Sequence, residues 1–316
     1  MSPWPALVSA LLVACNGAAA EPAPAPLPAP APAPEPKAKP KPKPAVAKPK
    51  PTPKPELKAP EGMLLVPAGT FTMGADDVGE QDERPAHRVT LPAFFLDTYE
   101  VTNGQYRECV EAKICRPWRD GVASAMKYGS EDAFRGDEQP VVGVSWADSK
   151  TYCEWRGKRL PTEAEFERAA RGDDARSYVW GNDAPDPKKH GVFSSGATED
   201  VGSRPEGVGP YGHHDLAGNV WEWLADHYDP YAYRRPAADR GVPGSCEEIL
   251  KTQDELRRSG QQGFTGTNPI PKECERVLRG GAFNYHAKGL RASNRVHHPG
   301  TWRILVAGFR CAKDVS

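Results

Sequence analysis

Apolar and polar residues are distributed very unevenly along the 316-residue chain. The first fifteen residues, MSPWPALVSALLVAC, form an apolar run shorter than the ~20 residues that a membrane-spanning helix needs. Residues 21–60 hold 16 prolines and almost no large apolar side chain. Such a segment cannot bury enough apolar surface to fold, and it favours polyproline II geometry. The pattern predicts a leader at 1–15, a disordered Pro-, Ala- and Lys-rich tether at 16–60 and one folded domain at 61–316.

The folded part begins with short β-type runs and continues with helices. MLLVPAGTFTMG (63–74), broken by Pro67, predicts a hairpin, and HRVTLPAFFLDTYEVT (87–102) predicts one or two further strands. Three segments then place a hydroxyl residue three positions before an acid or amide, a capping box that satisfies free N–H groups at a helix start. The predicted caps are Thr102, Ser145 and Thr162.

The second half of the domain has little periodic pattern. Residues 172–230 are rich in Gly, Pro, Asp and Asn, which predicts long loops that need metal ions or aromatic side chains to hold them. Residues 235–275 are predicted to be a polar insertion with a short helix at 247–257. RVLRGGAF (276–283) and AGFRCA (307–312) predict two core strands.

The charge distribution excludes one class of partner. The formal net charge is −1, but residues 21–60 carry eight Lys and three Glu, which leaves −6 for residues 61–316. Phosphate binding needs a basic face, so we expect no nucleic acid to bind this domain.

The cysteines bear on both location and redox state. LVAC (12–15) resembles a bacterial lipoprotein signal, in which the cysteine, here Cys15, is lipidated after cleavage. Asn16 after it favours the outer membrane, and an ordinary secretory signal cleaved near Ala20 is the alternative. Either signal predicts export to the cell envelope.

Six cysteines remain if Cys15 carries lipid. An even number in an exported chain predicts three disulfides, and a zinc site fits less well because no C-x-x-C pair is present. The six are Cys109, Cys115, Cys153, Cys246, Cys274 and Cys311.

The stretch DLAGNVWEW (215–223) combines carboxylates, small residues and tryptophans. A tight turn at Gly218 would aim backbone carbonyls inward beside the carboxylates of Asp215 and Glu222. Hard oxygen donors of this kind suit calcium, and the two tryptophans are expected to point into the core. The alternative is a turn followed by a helix start with an exposed acid.

Several motifs in order resemble the formylglycine-generating enzyme family, also called sulfatase-modifying factors. They are PAGTFTMG, GVSWADSKTYCEWRGKRLPTEAEFERAARG (143–172), LAGNVWEW, RGGAF and GFRCA, and the resemblance covers residues 61–316. It implies a single α+β domain with low regular secondary structure, a variant of the C-type lectin fold.

The resemblance also implies ligands and one disulfide. The family's calcium site corresponds to the side chains of Asp215 and Glu222 and the carbonyls of Gly218 and Val220. A second family calcium site is expected to be absent, because residues 189–202 lack its ligands. The family disulfide corresponds to Cys153–Cys311, whereas Cys109–Cys115 and Cys246–Cys274 are predicted from proximity along the chain alone.

Active members bind copper through two cysteines, and the matching positions here are Tyr285 and Leu290. Copper(I) requires soft thiolates, which neither side chain supplies, so we expect neither copper nor formylglycine formation. The favoured function is a calcium-stabilised binding or scaffold module for a peptide, glycan or envelope protein, anchored to the membrane through Cys15. The alternative is a non-heme iron or copper oxidoreductase with rebuilt ligands in the same cleft.

Several polar side chains near these positions are candidates for lining that cleft. Two recurrent family arginines, Arg291 and Arg310, are expected to pair with buried charges more often than to bind substrate. The cleft candidates are Tyr285, His286, Arg291 and Arg295, with His297 and His298 nearby.

Overall fold

The computed structural model describes residues 58–118, 131–235, 241, 244–258 and 273–315. Cys15, the leader and nearly all of the tether lie outside these residues. The chain divides into two units, Met1–Pro55 and Glu56–Ser316, and every described residue belongs to the second. No helix in the described ranges combines the length and apolar character needed to cross a bilayer.

Short strands in the described residues form three small sheets. The first has the order β1-β4-β9, the second pairs β2 with β3, and the third has the order β7-β6-β5-β8. All neighbours are antiparallel except β5 and β8. The strands are β1 (Met63–Val66), β2 (Gly69–Met73), β3 (His87–Leu91), β4 (Phe94–Asp97), β5 (Trp221–His227), β6 (Arg276–Arg279), β7 (Val296–His298), β8 (Ala307–Gly308) and β9 (Ala312–Asp314).

The hairpin predicted for residues 63–74 is wrong. β1 pairs with β4 and β2 pairs with β3, so the two strands belong to different sheets. Only Pro67 and Ala68 separate them, and a two-residue hairpin turn needs a positive φ that proline at its first position cannot adopt. The segment AGFRCA likewise does not form one strand, since its two ends are β8 and β9 in separate sheets.

The predicted helix starts are confirmed. At Thr102, Ser145 and Thr162 the hydroxyl accepts a hydrogen bond from the N–H three residues later, at 3.2–3.3 Å, and the acid or amide returns one. Each such cap stabilises its helix by about 1 kcal/mol. The helices are α1 (Asn103–Glu111), α2 (Trp146–Trp155), α3 (Glu163–Arg171) and α4 (Cys246–Arg258), the last close to its predicted bounds.

The main hydrophobic core forms where α3 packs against the first two sheets, and a second core forms where the third sheet meets α2. Trp221 and Trp223 are buried as predicted, and the Trp223 indole donates to the carbonyl of Val144 at 3.2 Å. The Cys153–Cys311 disulfide joins α2 to the residue before β9, and the other two predicted disulfides also form. Because this bridge closes a loop with a sequence separation of 158, it restricts the unfolded chain by roughly 5 kcal/mol in the chain-entropy description.

Candidate functional site

The segment from Asp215 to Val220 is a tight turn that leads into β5. Asp215, Gly218 and Asn219 have φ values of 54°, 98° and 61°, in the left-handed region. At Gly218 a side chain is excluded, since a Cβ would lie 2.8 Å from the carbonyl oxygen of Val192. The turn is followed by a strand and not by a helix, and the buried tryptophans of that strand fix the turn against the core.

Three carboxylates lie near this turn, close enough for the charges of two of them to act on the third, and we call Glu100, Asp215 and Glu222 the acid cluster. All three are buried, and Glu222 and the neighbouring Arg310 have no exposed surface. The Arg310 guanidinium donates two hydrogen bonds of 2.8 Å to the two oxygens of Glu222. Asp215 accepts a 2.6 Å hydrogen bond from the N–H of Gly202. The three acids of the cluster therefore have one guanidinium, that of Arg310, next to them and in direct contact with Glu222.

Glu100 is the member of the cluster that sequence reasoning missed. Its carboxylate accepts hydrogen bonds from the Val220 N–H at 3.2 Å and the Asn219 side chain at 2.7 Å. Glu100 therefore links the turn to the loop between β4 and α1. The only signal in the sequence was an acid lying between a strand and a helix cap, and this pattern does not distinguish a ligand from a surface residue.

The electrostatics of the acid cluster are unfavourable without a further cation. Burial, together with the charges of Asp215 and Glu222, raises the pKa of Glu100 well above its usual value. Burial also raises the pKa values of Asp215 and Glu222, although Arg310 opposes the increase for both. When all three acids are ionised, the four groups carry a net charge of −2, which a single divalent cation would balance.

The donors present fit calcium chemically. The carboxylate of Asp215, at the start of the turn, and that of Glu222, the second residue of β5, lie close enough for their charges to interact. The carbonyls of Gly218 and Val220 belong to the turn between them. Calcium prefers six to eight oxygen ligands in flexible geometry. Both Glu222 oxygens accept from Arg310, but a carboxylate has about four acceptor sites, so arginine and a cation can share it.

The two positions that the resemblance assigns to copper cysteines have different environments. Leu290 is 1% exposed and packs in the main hydrophobic core. Tyr285 is 36% exposed, and its ring packs at an interplanar angle of 89° to that of Trp221, with the ring centroids 5.2 Å apart. All six cysteines in the described residues form disulfides, so this part of the chain contains no free thiol.

Arg295 does not line an open cleft, which corrects the sequence prediction. It is buried and donates to both oxygens of Glu163, at 2.6 and 2.9 Å. Burial alone would raise the pKa of Glu163, but Arg295 and Arg279 hold it below its usual value. The physical reason is that α3 buries Glu163 and Glu167, whose charges require guanidinium partners.

The remaining cleft candidates have different environments. His286 is exposed, and Arg291 pairs with the buried Glu83, as expected for a recurrent arginine. His297 stacks on Tyr228, with ring centroids 3.8 Å apart, and His298 stacks on another aromatic ring. Among the described residues, one group of three potential metal-ligating side chains has its ligand atoms within 4.8 Å of one another: His227, Cys246 and Cys274.

Known proteins share this fold and its motifs. The family description "Sulfatase-modifying factor enzyme 1-like domain" matches residues 48–315. The solved structure of PvdO from Pseudomonas aeruginosa has a TM-score of 0.59 and 27% identity, covering 80% of this chain and 94% of that one. The predicted α+β fold, a C-type-lectin-like variant with little regular structure, is thereby confirmed.

Curated relatives differ in length and in activity. The formylglycine-generating enzyme of Thermomonospora curvata is 31% identical, with 80% of this chain and 94% of that protein covered. The inactive C-alpha-formylglycine-generating enzyme 2 of Bos taurus is 34% identical, with 52% and 71% covered. The serine/threonine-protein kinase Pkn1 of Chlamydia trachomatis is 34% identical over 80% of this chain, which spans only 38% of that kinase. The chain therefore belongs to the sulfatase-modifying factor family, whose members include the formylglycine-generating enzymes.

Proposed function

We propose that this domain does not generate formylglycine and serves as a calcium-stabilised binding or scaffold module of the cell envelope. The observation that carries the proposal is the absence of a free thiol from the described residues, combined with a phenol and a buried isobutyl group at Tyr285 and Leu290. Copper(I) in the family's chemistry needs soft sulfur donors. The relative from Bos taurus is itself described as inactive, which is a precedent within the family.

The loop that carries Tyr285 suits recognition of a partner. Its backbone is held by Ser194, whose N–H donates to the Tyr285 carbonyl at 2.8 Å, and by Ser195, whose N–H donates to Phe283 at 2.7 Å. The ring of Tyr285 also makes a T-shaped contact with the buried Trp221. An aromatic ring held in place on a rigid loop loses little conformational entropy on binding, which favours contact with a peptide, glycan or envelope protein.

Calcium has a structural role in this proposal. The acid cluster lies between the turn before β5 and the loop that joins β4 to α1. The net charge of −2 that the three acids and Arg310 carry together would otherwise repel these segments. A bound cation would hold them together and orient β5, whose first residue, Trp221, contacts Tyr285. Calcium would therefore stabilise the binding surface without taking part in chemistry.

Membrane attachment completes the proposed arrangement. Lipidation at Cys15 would anchor the chain to the membrane and keep the binding surface at the cell envelope. Nucleic acid is not a partner in this scheme.

An activity assay tests the claim that the domain does not generate formylglycine. The full chain is incubated with copper, O2 and a cysteine-containing sulfatase peptide, with the Thermomonospora curvata enzyme as positive control. We expect no aldehyde in the mass spectrum of the peptide. Aldehyde formation would contradict the proposal, and stoichiometric iron or copper in the purified protein would favour the alternative of an oxidoreductase with rebuilt ligands.

A further inference from the structure

We propose that His227, Cys246 and Cys274 form a latent zinc site that opens when a dithiol reductant cleaves the Cys246–Cys274 disulfide. The histidine nitrogen and the two sulfurs lie within 4.8 Å of one another, and no comparable group occurs elsewhere in the described residues. Two thiolates and one imidazole are established zinc ligands. The site is independent of the proposed binding function.

His227 has a ring nitrogen that is free to bind a metal. His227 is the last residue of β5, and its Nδ1 atom is buried without a hydrogen-bond partner. Such an unsatisfied atom costs free energy unless it gains a ligand. A neutral imidazole nitrogen keeps a lone pair that can bind a metal.

The disulfide is the one a reductant reaches first. Cys246 and Cys274 are partly exposed, whereas Cys109, Cys153 and Cys311 have no exposed surface. Thiol–disulfide exchange requires a thiolate to approach a sulfur, so accessibility controls which bridge opens. A protein or small-molecule dithiol can therefore reduce this bridge while the two buried bridges persist.

The dithiol supplies the electrons and protons that reduction of the Cys246–Cys274 disulfide requires. It transfers two electrons and two protons to the disulfide, giving two thiols and a cyclic disulfide of the reductant. Zinc binding then displaces the two thiol protons. With Zn–S bonds of ~2.3 Å, tetrahedral geometry places the two sulfurs about 3.8 Å apart, which rotation of the cysteine side chains can supply.

Three protein ligands leave one tetrahedral position open. That position would hold water or an oxygen or sulfur atom of a small ligand, as in zinc sites that are not purely structural. The site lies at the far end of β5 from Trp221, about 20 Å away for a strand of seven residues. Its soft sulfur donors also distinguish it from the acid cluster, which suits calcium.

The test compares the oxidised and reduced full chain, with calcium in excess throughout so that the acid cluster does not take up zinc. Brief treatment with dithiothreitol, followed by its removal without oxygen, should release two thiols per chain. The reduced chain should then bind one Zn2+, measured by competition with a chromophoric chelator, and Cd2+ should produce thiolate charge-transfer absorbance. The oxidised chain should bind neither ion at this site.

Variants locate the site. His227→Ala should weaken zinc binding by the reduced chain at least tenfold, whereas His298→Ala on β7 of the same sheet should leave it unchanged. The Cys246→Ser, Cys274→Ser double variant keeps both buried bridges and should not bind. The proposal is overturned if the thiols appear but no zinc binds, if His227→Ala binds zinc like the parent, if the double variant still binds, or if the Cys153–Cys311 bridge opens first.

Discussion

Asp215→Asn is the substitution that most sharply separates a calcium site from a merely buried acid. The amide has the shape of the carboxylate, and its oxygen can keep the 2.6 Å hydrogen bond from the Gly202 N–H. It changes the summed charge of the acid cluster and Arg310 from −2 to −1. If Asp215 is a calcium ligand, the substitution should reduce the stabilisation by calcium; if it is only a buried acid, that stabilisation should not change.

The expected magnitude follows from ligand linkage. Calcium at 100 times its dissociation constant stabilises the folded state by about 2.7 kcal/mol. For a domain of this size that raises the melting temperature by roughly 5 to 11 °C. If losing the Asp215 charge weakens calcium binding a hundredfold, about 0.4 kcal/mol remains, a shift of about 1 to 2 °C. Without calcium the variant should be at least as stable as the parent, because a repelling buried charge has been removed.

The assay is thermal unfolding of both proteins in calcium and in a calcium chelator. Asp200→Asn provides the matched control, since Asp200 is an exposed acid in the neighbouring loop and should leave the calcium shift intact. The reasoning is refuted if chelation does not change the melting temperature of the parent, or if Asp215→Asn keeps the full calcium shift.

Three further predictions follow from the site and its surroundings. The raised pKa values of the acid cluster mean that, at pH values just above the usual carboxyl range, the folded chain binds more protons than the unfolded chain. Without calcium, the free energy of unfolding should therefore fall as the pH rises through this range. Since calcium needs the ionised acids, its effect on the melting temperature should be larger near roughly pH 7.5 than near pH 5. The double substitution Tyr285→Cys, Leu290→Cys should create a thiolate pair that binds one Cu+ in competition with a chromophoric chelator; no binding would show that these positions do not match the family cysteines. Arg295→Met should lower the free energy of unfolding, measured in urea titrations, by about 3 to 5 kcal/mol, because Glu163 loses its bidentate partner in the core. A change below about 1 kcal/mol would show that Arg279 alone is enough to balance the charge of Glu163.

Local features were predictable from the sequence because their physics is local. The three capping boxes depend on residues three positions apart, and all three form. The burial of Trp221 and Trp223 followed from two large apolar rings beside a turn that needs support. The α4 helix was likewise predicted, as a short helix at 247–257 within a polar insertion.

Features that depend on distant segments were not predictable in the same way. The partner of β1 is β4, and the strand sequences alone did not distinguish it from the adjacent β2. Arg295 pairs with Glu163, 132 positions earlier, so its burial depends on where α3 packs. Glu100 becomes part of the acid cluster only because the fold places the turn before β5 next to it. His227 likewise becomes a candidate zinc ligand only because the fold places the Cys246–Cys274 bridge next to it.

The metal content of the full chain, purified without chelators and with its disulfides intact, tests the central claim most directly. The account predicts one calcium ion per chain, bound at the acid cluster and lost in Asp215→Asn, with no stoichiometric copper or iron. Stoichiometric copper that remains bound beside Tyr285, or a chain that retains no calcium at saturating calcium concentration, would contradict it.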